Sequence, residues 1–328
     1  MRIDRFFYKL EKFLKRQMTR GAFLKICCGG LLFLISENSF LRLAFARTGE
    51  SGPRPKRGIK GVHDLVVSQG ADPYSNTIKA VEAMGGMALF VKEGDTVLVK
   101  PNIAWDRTPE QAANTNPQVV AALVELCYQA GAKRVNVFDV PCNDDRRTYE
   151  NSGIQKAAEE KGAKVYFADH WNVVKAKFPY PSPMEDWPIM RDAMVCDKLI
   201  NVPILKHHSI ARLTIAMKNL MGVCSGTRGK MHVDIGRKLV DLTDYIYPEL
   251  TVIDATRVLL RNGPIGGNLE DVERMDKVIV GTDPVLADSY AAGLMNVDLD
   301  SVPYLKEARE RGFGQTDVSQ ADIHEVKS

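Results

Sequence analysis

The chain has 328 residues, of which 45% are hydrophobic and 26% are charged, an ordinary composition for a globular protein with a sizeable core. The formal net charge is +3, but residues 1–46 hold nine Lys/Arg and three Asp/Glu, so the remaining 282 residues carry a net charge of −3. A nucleic-acid-binding domain is more commonly basic, so we expect no nucleic-acid partner.

Residues 1–46 are predicted to be an export signal. A basic lead at 2–15 precedes TRGAFLK at 19–25, an apolar segment at 26–35 and a small-x-small cleavage pattern, LAFA, at 43–46. The apolar segment has about ten residues, whereas a membrane crossing needs roughly 20. TRGAFLK resembles the twin-arginine motif (S/T)RRxFLK but has Gly21 in place of the second arginine, so the Sec route stays open.

This signal predicts an exported, periplasmic protein that engages the export machinery. An uncleaved signal that anchors the protein is the alternative, and we expect no membrane contact beyond the signal segment. Residues 47–58, RTGESGPRPKRG, are polar and rich in Gly and Pro, which predicts a flexible linker. Residues 59–328 then form the predicted folded domain.

Strands and helices alternate in the first half of this domain. Strands are predicted at 62–68, 96–99, 134–138 and 164–167; helices are predicted from Pro73, over 117–131 with Asn116 as the cap, and over 148–161. This alternation predicts an α/β fold with a mostly parallel sheet and helices on both faces, with two α/β lobes and a cleft between them as a variant.

The second half of the domain is less regular. Residues 170–195 are rich in Pro, Trp and Met and are predicted to form an irregular cap over the sheet edge. Strands are predicted at 196–202, 251–254, 277–280 and from Ile323; helices are predicted over 209–221, from Asp283-Pro284 to about 295, and from Ser301. A glycine-rich loop lies at 261–268.

Cysteine spacing gives little sign of a metal cluster. Cys27 and Cys28 lie in the signal, and the cysteines of the domain are Cys127, Cys142, Cys196 and Cys224. None of these four belongs to a CxxC pair, which argues against zinc ribbons and ferredoxin-type iron–sulfur clusters. An oxidising compartment would permit disulfides with three possible connectivities.

Polar residues follow four predicted strands. They are Lys100 and Asn102, Asp139, Lys206 with His207 and His208, and Asp254. Ligands bind outside the carboxyl ends of strands in open parallel sheets. The sequence therefore predicts a basic strand-end cleft that binds a small anionic molecule or a cofactor.

The predicted helix over 209–221 places its residues by angle. At 100° per residue one face carries Ile210, Leu213, Met217, Leu220 and Met221, which predicts core packing. Arg212 and Asn219 fall on the opposite side and are candidate cofactor-binding residues. Lys218 falls at the boundary, where its amine could reach the strand ends. The N-terminus of such a helix, next to Lys206, would attract an anion.

Two loops offer further contacts to a cofactor. The segment SGTRGK at 225–230 supplies Arg228, hydroxyls and backbone amides suited to phosphate or carboxylate, although it is not a P-loop. Gly263, Gly266 and Gly267 would let the backbone approach a ligand closely.

Three residues in this region could do chemistry together. His208, Lys218 and His232 would place two imidazoles and an amine around one site. Imidazole is a common metal ligand and the usual acid/base group near neutral pH. His208 and Lys218 are the candidate catalytic residues, and His232 and His207 are the candidate metal ligands.

Four segments carry a family resemblance: VLVKPNI at 97–103, NVPILKHHSIARLTIAMKNLMG at 201–222, NGPIGG at 262–267 and GTDPVLADSYAA at 281–292. In their order and spacing the chain resembles the domain of unknown function 362 family over about residues 60–315. Many members carry ferredoxin-like cysteine clusters. This chain has no such motif, so a self-contained iron–sulfur role is not expected.

The chain also shows a more distant likeness to the lactate racemase family, whose members hold a nickel-pincer nucleotide through a lysine. This resemblance implies that Lys218 tethers the cofactor, His232 ligates nickel and His208 is one of an acid/base pair. The second acid/base histidine has no match in this sequence.

The sequence supports two hypotheses for the function of the cleft. One hypothesis is a racemase/isomerase-like or redox-associated enzyme, in which histidines move a proton at a carbon bearing a carboxylate. The alternative is a non-catalytic exported accessory or binding protein that uses the same cleft. Whether the protein is an enzyme stays open at this point.

Overall fold

The computed structural model describes residues 50–56 and 63–328, so the predicted export signal and residues 57–62 lie outside the described part. Residues Glu50–Ser328 form one compact unit, and the described part is not divided into two lobes. Among the described residues, no helix combines the length and the apolar character that a membrane crossing requires.

The described residues form thirteen strands in two sheets. They are β1 Glu50–Ser51, β2 Leu65–Gln69, β3 Thr96–Pro101, β4 Arg134–Val137, β5 Lys164–Val165, β6 Val173–Ala176, β7 Pro188–Met190, β8 Lys198–Val202, β9 Ile204–His208, β10 Arg212–Thr214, β11 Leu250–Leu259, β12 Val272–Gly281 and β13 Ile323–Lys327. The main sheet has ten strands in the order β13-β2-β12-β11-β8-β3-β4-β5, with β9 paired to β11 and to β10. The small sheet has the order β1-β6-β7.

Strand directions in the main sheet agree with the predicted fold class. The run β11-β8-β3-β4-β5 is parallel throughout. β12 is antiparallel to both β11 and β2, and β13 is parallel to β2. The mostly parallel α/β sheet is therefore confirmed, and β12 and β10 are the two strands that run in the opposite direction.

Helices cover both faces of the main sheet. They are α1 Pro73–Ala83, α2 Pro117–Gln129, α3 Asp145–Asn151, α4 Ile154–Glu160, α5 Arg191–Val195, α6 Ala216–Asn219, α7 Ile235–Ile246, α8 Pro284–Leu294 and α9 Pro303–Glu310. In β3, Val97 and Val99 pack on one face with α1, α2 and α4, and Leu98 packs on the other with α7, α8 and α9. Both faces of the strands are apolar because helices cover the sheet on each side, as is usual for parallel sheets.

Three helices begin as their sequences predict. Asp72, Asn116 and Asp283 each cap a helix that starts with proline, and each side chain accepts a backbone N–H of the first turn. These starts are set by local chemistry, so the sequence suffices to locate them. They fix the ends of α1, α2 and α8 against the sheet.

The predicted helix over 148–161 is in fact two helices. Gly153 has φ 70° and separates α3 from α4. The predicted irregular cap over 170–195 also contains regular structure, namely β6, β7 and α5. In the predicted flexible linker, residues 50–56 lie against the core, because β1 pairs with β6 and Arg54 is buried.

The predicted helix over 209–221 is wrong. His208 pairs with Arg212 in an antiparallel hairpin of β9 and β10, and the helix that follows is the short α6. A 3₁₀ turn, Leu220–Val223, continues it. Strand pairing of β9 with β11 favours the extended conformation, so the segment follows its tertiary partners rather than its helical periodicity.

The angular assignment fails together with that helix. Ile210, predicted to be buried, is 58% exposed at the hairpin turn, whereas Lys218 and Asn219 are buried. No helix begins at His207 and His208, so a helix N-terminus does not attract an anion there. The amphipathic helix α7 was not predicted.

Cysteines in the described part of the chain are all free. Cys127, Cys196 and Cys224 are buried, and Cys142 is exposed. Burial in apolar surroundings raises the pKa of the Cys224 thiol to about 12.

Candidate functional site

A cavity of about 580 Å³ lies where β3, β4 and β9 end. We call it the strand-end cavity. Its lining includes eight residues that the sequence predicted at strand ends or as ligand-binding groups: Asn102, Asp139, Lys206, His208, Lys218, Asn219, Arg228 and His232. The topology brings these residues together because parallel strands present their carboxyl ends at one edge.

Beneath the cavity, Lys100 and Asp139 form a buried ion pair, with Nζ 2.8 Å from Oδ1. The Asp139 carboxylate also accepts the backbone N–H groups of Ile103 and Val140 at 2.6 and 2.9 Å. Burial lowers the pKa of Lys100, while the neighbouring carboxylate opposes that change. Among the described residues, Asp139 is the one acidic side chain in the cavity lining, and Lys100 and two backbone N–H groups balance its negative charge.

Gly222 lies directly against this ion pair, and the space between them is too small for a side chain. A Cβ added at Gly222 would lie 1.7 Å from Asp139 Oδ1 and 2.5 Å from Lys100 Nζ. Only glycine fits between the 3₁₀ turn and the pair. The NLMG sequence around it is therefore constrained by sterics.

Asn219 connects the strand ends through four hydrogen bonds. Its Oδ1 accepts from Lys100 Nζ and Asn102 Nδ2 at 3.1 and 3.0 Å. Its Nδ2 donates to Lys100 O and to Asn201 Oδ1 at 3.2 and 2.9 Å. Since every hydrogen-bonding position of this amide is used, Asn219 serves as a rigid support for the cavity floor.

Lys206 is buried, and protein oxygens satisfy its ammonium. Nζ donates to Asn102 Oδ1 at 3.2 Å and to Ala113 O at 2.5 Å. Its pKa falls to about 7, first because of burial and also because Lys218 and Lys100 are nearby cations. Lys206 therefore changes charge near neutral pH.

Lys218 is held differently. Its side chain is 8% exposed, and Nζ contacts the Met221 sulfur at 3.1 Å. No carboxylate among the described residues pairs with it. Burial, followed by the charges of Arg228 and Lys100, lowers its pKa to about 8, so it is mostly cationic at pH 7. A buried ammonium without a counter-ion is costly, and an anion in the cavity would relieve that cost.

Arg228 closes one side of the cavity by binding the loop after β4. Its guanidinium donates to Val140 O at 2.6 Å and to Pro141 O. Its Nη2 also lies 3.9 Å from the Cys142 sulfur. The cavity thus has three cations, Lys206, Lys218 and Arg228, around one compensated carboxylate.

Backbone contacts fix the tautomer of His208. Its Nδ1 accepts the N–H groups of Ile210 and Ala211 at 3.1 and 3.2 Å, so Nδ1 carries no proton. Burial, and then the charges of Lys218 and the other nearby cations, lower its pKa to about 3. His208 is therefore neutral at pH 7 with the proton on Nε2, which makes that atom a hydrogen-bond donor.

His232 has the opposite tautomer. Its Nδ1 lies 3.3 Å from Gly229 O, and a carbonyl only accepts, so Nδ1 carries the proton. Burial and the charge of Lys218 lower its pKa, which favours the neutral ring with a free lone pair on Nε2. The rings of His208 and His232 stack with centroids 5.7 Å apart. One imidazole can donate where the other can accept.

Several predicted site residues lie outside the cavity lining. His207 points to the opposite face of β9 from His208, and its Nδ1 accepts the N–H of Gly263 at 3.1 Å. Arg212 is exposed, with φ 66°. Of the glycine-rich loop only Pro264 lines the cavity, so Gly263, Gly266 and Gly267 do not line it, and Lys100 lies below it.

The described residues contain no group of three or more His, Cys, Asp or Glu side chains that could hold a metal ion by themselves. The predicted ligands His207 and His232 do not share a site, because only His232 faces the cavity. The three residues that the lactate racemase resemblance assigns to a nickel-pincer nucleotide, His208, Lys218 and His232, all line the cavity.

Sequence reasoning missed several cavity residues. They are Trp105, Cys142, Thr214, Met221 and Gly222. Cys142 had a usable signal, since it follows the strand-end residue Asp139 by three positions. Trp105 and Thr214 had none, because only the loop over 103–116 and the β9-β10 hairpin bring them to the cavity.

Together the fold and the site define an α/β protein with a cationic cavity at the carboxyl ends of its parallel strands. Residues 97–293 match the family described as Domain of unknown function (DUF362), and the chain belongs to this family. A thylakoid-associated protein of Synechocystis sp. is 26% identical over 253 residues, which cover 72% of this chain and 74% of the relative.

Two solved structures are similar to this chain at low identity. A protein from Thermotoga maritima is 12% identical with a TM-score of 0.42, covering 70% of this chain and 60% of that one. The lactate racemase apoprotein from Thermoanaerobacterium thermosaccharolyticum is 10% identical with a TM-score of 0.41, covering 78% of this chain and 62% of that one. The chain thus spans less than two thirds of either structure, and likeness at this level transfers no activity.

Proposed function

We propose that this protein binds a small anionic molecule, a carboxylate or a phosphate, in the strand-end cavity. The observation that carries this proposal is the buried Lys218 ammonium, which lacks a carboxylate partner among the described residues. Arg228 and Lys206 add positive charge on the same cavity. An anion would supply the missing counter-charge, and charge-assisted hydrogen bonds are the strong ones.

Calorimetric titration with phosphate, malonate and pyruvate at pH 6.5 tests the binding. Lys218→Met keeps the side-chain volume and removes the charge, so we expect affinity to fall at least about thirtyfold, within the range found when one partner of a buried charge pair is lost. Lys230→Met is the matched control, because Lys230 is exposed and does not line the cavity. Equal affinity in both variants would refute the site.

The two histidines support a further step, proton transfer on the bound anion. His232 Nε2 would take a proton from the carbon next to the carboxylate. The electron pair left behind would delocalise onto oxygen, where the His208 Nε2–H and the Lys218 ammonium would stabilise the negative charge. This assignment differs from the role given to His208 by the sequence, because His208 is a donor here and His232 is the base.

Deuterium exchange tests the chemistry apart from the binding. Malonate, which carries protons on the carbon next to its carboxylates, is incubated with the protein in D₂O, and loss of that proton signal is followed by NMR. We expect exchange that His232→Gln abolishes and that His63→Gln, in an exposed histidine paired with Asp322, leaves intact. Binding without exchange would favour the alternative, a non-catalytic accessory protein that carries the anion.

For location, we infer that residues 1–46 direct export to the periplasm. The inference is supported by their basic lead, short apolar segment and LAFA sequence. Cell fractionation of the full chain with and without residues 1–46 tests it. Identical distributions of the two forms would contradict export, and a full-length form kept in the membrane fraction would indicate an anchor.

A further inference from the structure

Exposed apolar side chains lie in the lining of the strand-end cavity or next to lining residues in the sequence. Ile210 lines the cavity and is 58% exposed. Val233, which follows the lining residue His232, is 71% exposed, and Ile265, which follows the lining residue Pro264, is 44% exposed. We call Ile210, Val233 and Ile265 the apolar rim.

Three contacts bring the segments of the rim together. The hairpin turn after β9 joins the glycine-rich loop through the Ser209 N–H, which donates to Gly263 O at 3.2 Å. The His207 ring joins the same two segments. The stacking of His208 on His232 places the 3₁₀ turn Arg228–His232, and thus Val233, beside the hairpin. The segments that carry the rim residues therefore lie side by side next to the strand-end cavity.

The lining of the cavity is also largely apolar. Trp105, Pro141, Met221 and Pro264 line it together with Lys206 and Lys218. The volume of about 580 Å³ is in the range of pockets that hold drug-sized molecules. A phosphate or a short carboxylate would leave most of it unfilled.

We propose that the natural ligand is an amphipathic anion, with a carboxylate or phosphate head on Lys218 and an apolar tail that leaves past the apolar rim. The proposal rests on the anion-binding function above and specifies its ligand class. Exposed large apolar side chains around a pocket are a common mark of a ligand-binding groove. The tail would cover the apolar rim, and the head would neutralise the charge of Lys218.

Titration with methyl, butyl and octyl phosphate below their micelle concentrations tests the ligand class. Each methylene removed from water tightens binding by up to about fourfold, so we expect octyl phosphate to bind at least about thirtyfold tighter than methyl phosphate. The double variant Ile210→Ser/Val233→Ser should lose most of this gain while binding methyl phosphate as before. Leu89→Ser, an exposed residue that does not line the cavity, is the matched control.

The outcomes separate the two proposals. If methyl and octyl phosphate bind equally, or if the rim variant keeps the full gain, the amphipathic ligand is refuted while the anion site stands. If none of the phosphates binds, the anion site fails and this inference fails with it. Binding to vesicles of anionic lipid, without any binding of the monomeric phosphates, would instead identify the rim as a membrane-docking surface and overturn the proposal.

Discussion

At the scale of single residues, Lys206 and Lys218 differ in what surrounds the charge. Two protein oxygens accept hydrogen bonds from Lys206, whereas the contact of Lys218 is a sulfur. Both are buried and both pKa values are lowered. The first lysine is part of the folded scaffold, and the second is held in an unfavourable state that a ligand would relieve.

The two lysines should therefore respond oppositely to the same substitution. Lys218→Met is expected to raise the free energy of unfolding of the ligand-free protein by about 1–3 kcal/mol, because it removes an uncompensated buried charge. Lys206→Met is expected to lower it by about 1–3 kcal/mol, because it leaves Asn102 Oδ1 and Ala113 O without their donor. Urea unfolding measures both, and destabilisation by Lys218→Met would contradict this assignment.

Anion binding should depend on pH through the same two groups. The pKa values of Lys206 and Lys218, about 7 and about 8, lie below the ordinary value of 10.5. Both lysines are mostly charged at pH 6 and lose their protons as the pH rises to 9, so affinity for pyruvate, whose charge is constant in that window, should fall. Calorimetry from pH 6 to 9 measures this, with salt concentration fixed; constant or rising affinity would contradict the proposed role of the lysines.

At the scale of elements, the outcome of sequence reasoning depended on whether the determinants were local. Caps such as Asp72 and Asn116 lie next to the helices they start, so α1 and α2 were predicted correctly. The β9-β10 hairpin was not predicted, since its extended conformation is set by the pairing of β9 with β11. Helix α7 is an exception, because its signal is local and was overlooked: Ile235, Leu239, Leu242 and Ile246 recur at helical spacing.

Helix α6 has only four residues and depends on a distant cap. The Asp288 carboxylate of α8 accepts the N–H groups of Ala216 and Met217 at 2.6 and 3.0 Å. Since α6 carries Lys218 and Asn219, this cap positions two residues of the candidate site.

Asp288→Ala is expected to lower the free energy of unfolding by about 2–4 kcal/mol, because two buried N–H groups lose their acceptor, and to weaken phosphate binding. Asp298→Ala is the control, because Asp298 caps an exposed 3₁₀ turn and should cost about 1 kcal/mol or less. Thermal unfolding and calorimetry measure the two effects. Equal losses in both variants would show that the cap of α6 has no special importance.

At the scale of the whole molecule, the position of the site followed from the sequence better than its chemistry did. Polar residues after apolar strands, such as Asn102 and Lys206, predicted a strand-end cleft because parallel strands share one edge. The tautomers of His208 and His232 could not be predicted, since backbone groups fixed by the hairpin and the 3₁₀ turn set them. The strand order and the helices confirm the fold class, and the family match names no reaction.

Residues 50–56, which precede the predicted domain, also contribute to the stability of the folded protein. Arg54 pairs with the buried Glu249 at 3.1 Å and donates to Ala193 O and Cys196 O. Arg54→Met should cost about 3–5 kcal/mol, because it leaves the Glu249 carboxylate buried without its partner. Lys56→Met, whose ion pair with Asp244 is half-exposed, should cost less than about 1 kcal/mol. Thermal unfolding compares the two, and similar melting temperatures would contradict a structural role for residues 50–56.

The central claim is that the strand-end cavity holds an anion against Lys218. Anomalous diffraction from crystals grown with selenate, a heavy analogue of small tetrahedral anions, tests it most directly. We predict a selenium peak in the cavity, at a position from which the selenate oxygens accept hydrogen bonds from Lys218 Nζ and Arg228. This peak should be absent from crystals of Lys218→Met. Selenium peaks confined to other surfaces of the molecule, or an unchanged peak in the cavity of Lys218→Met, would contradict the claim.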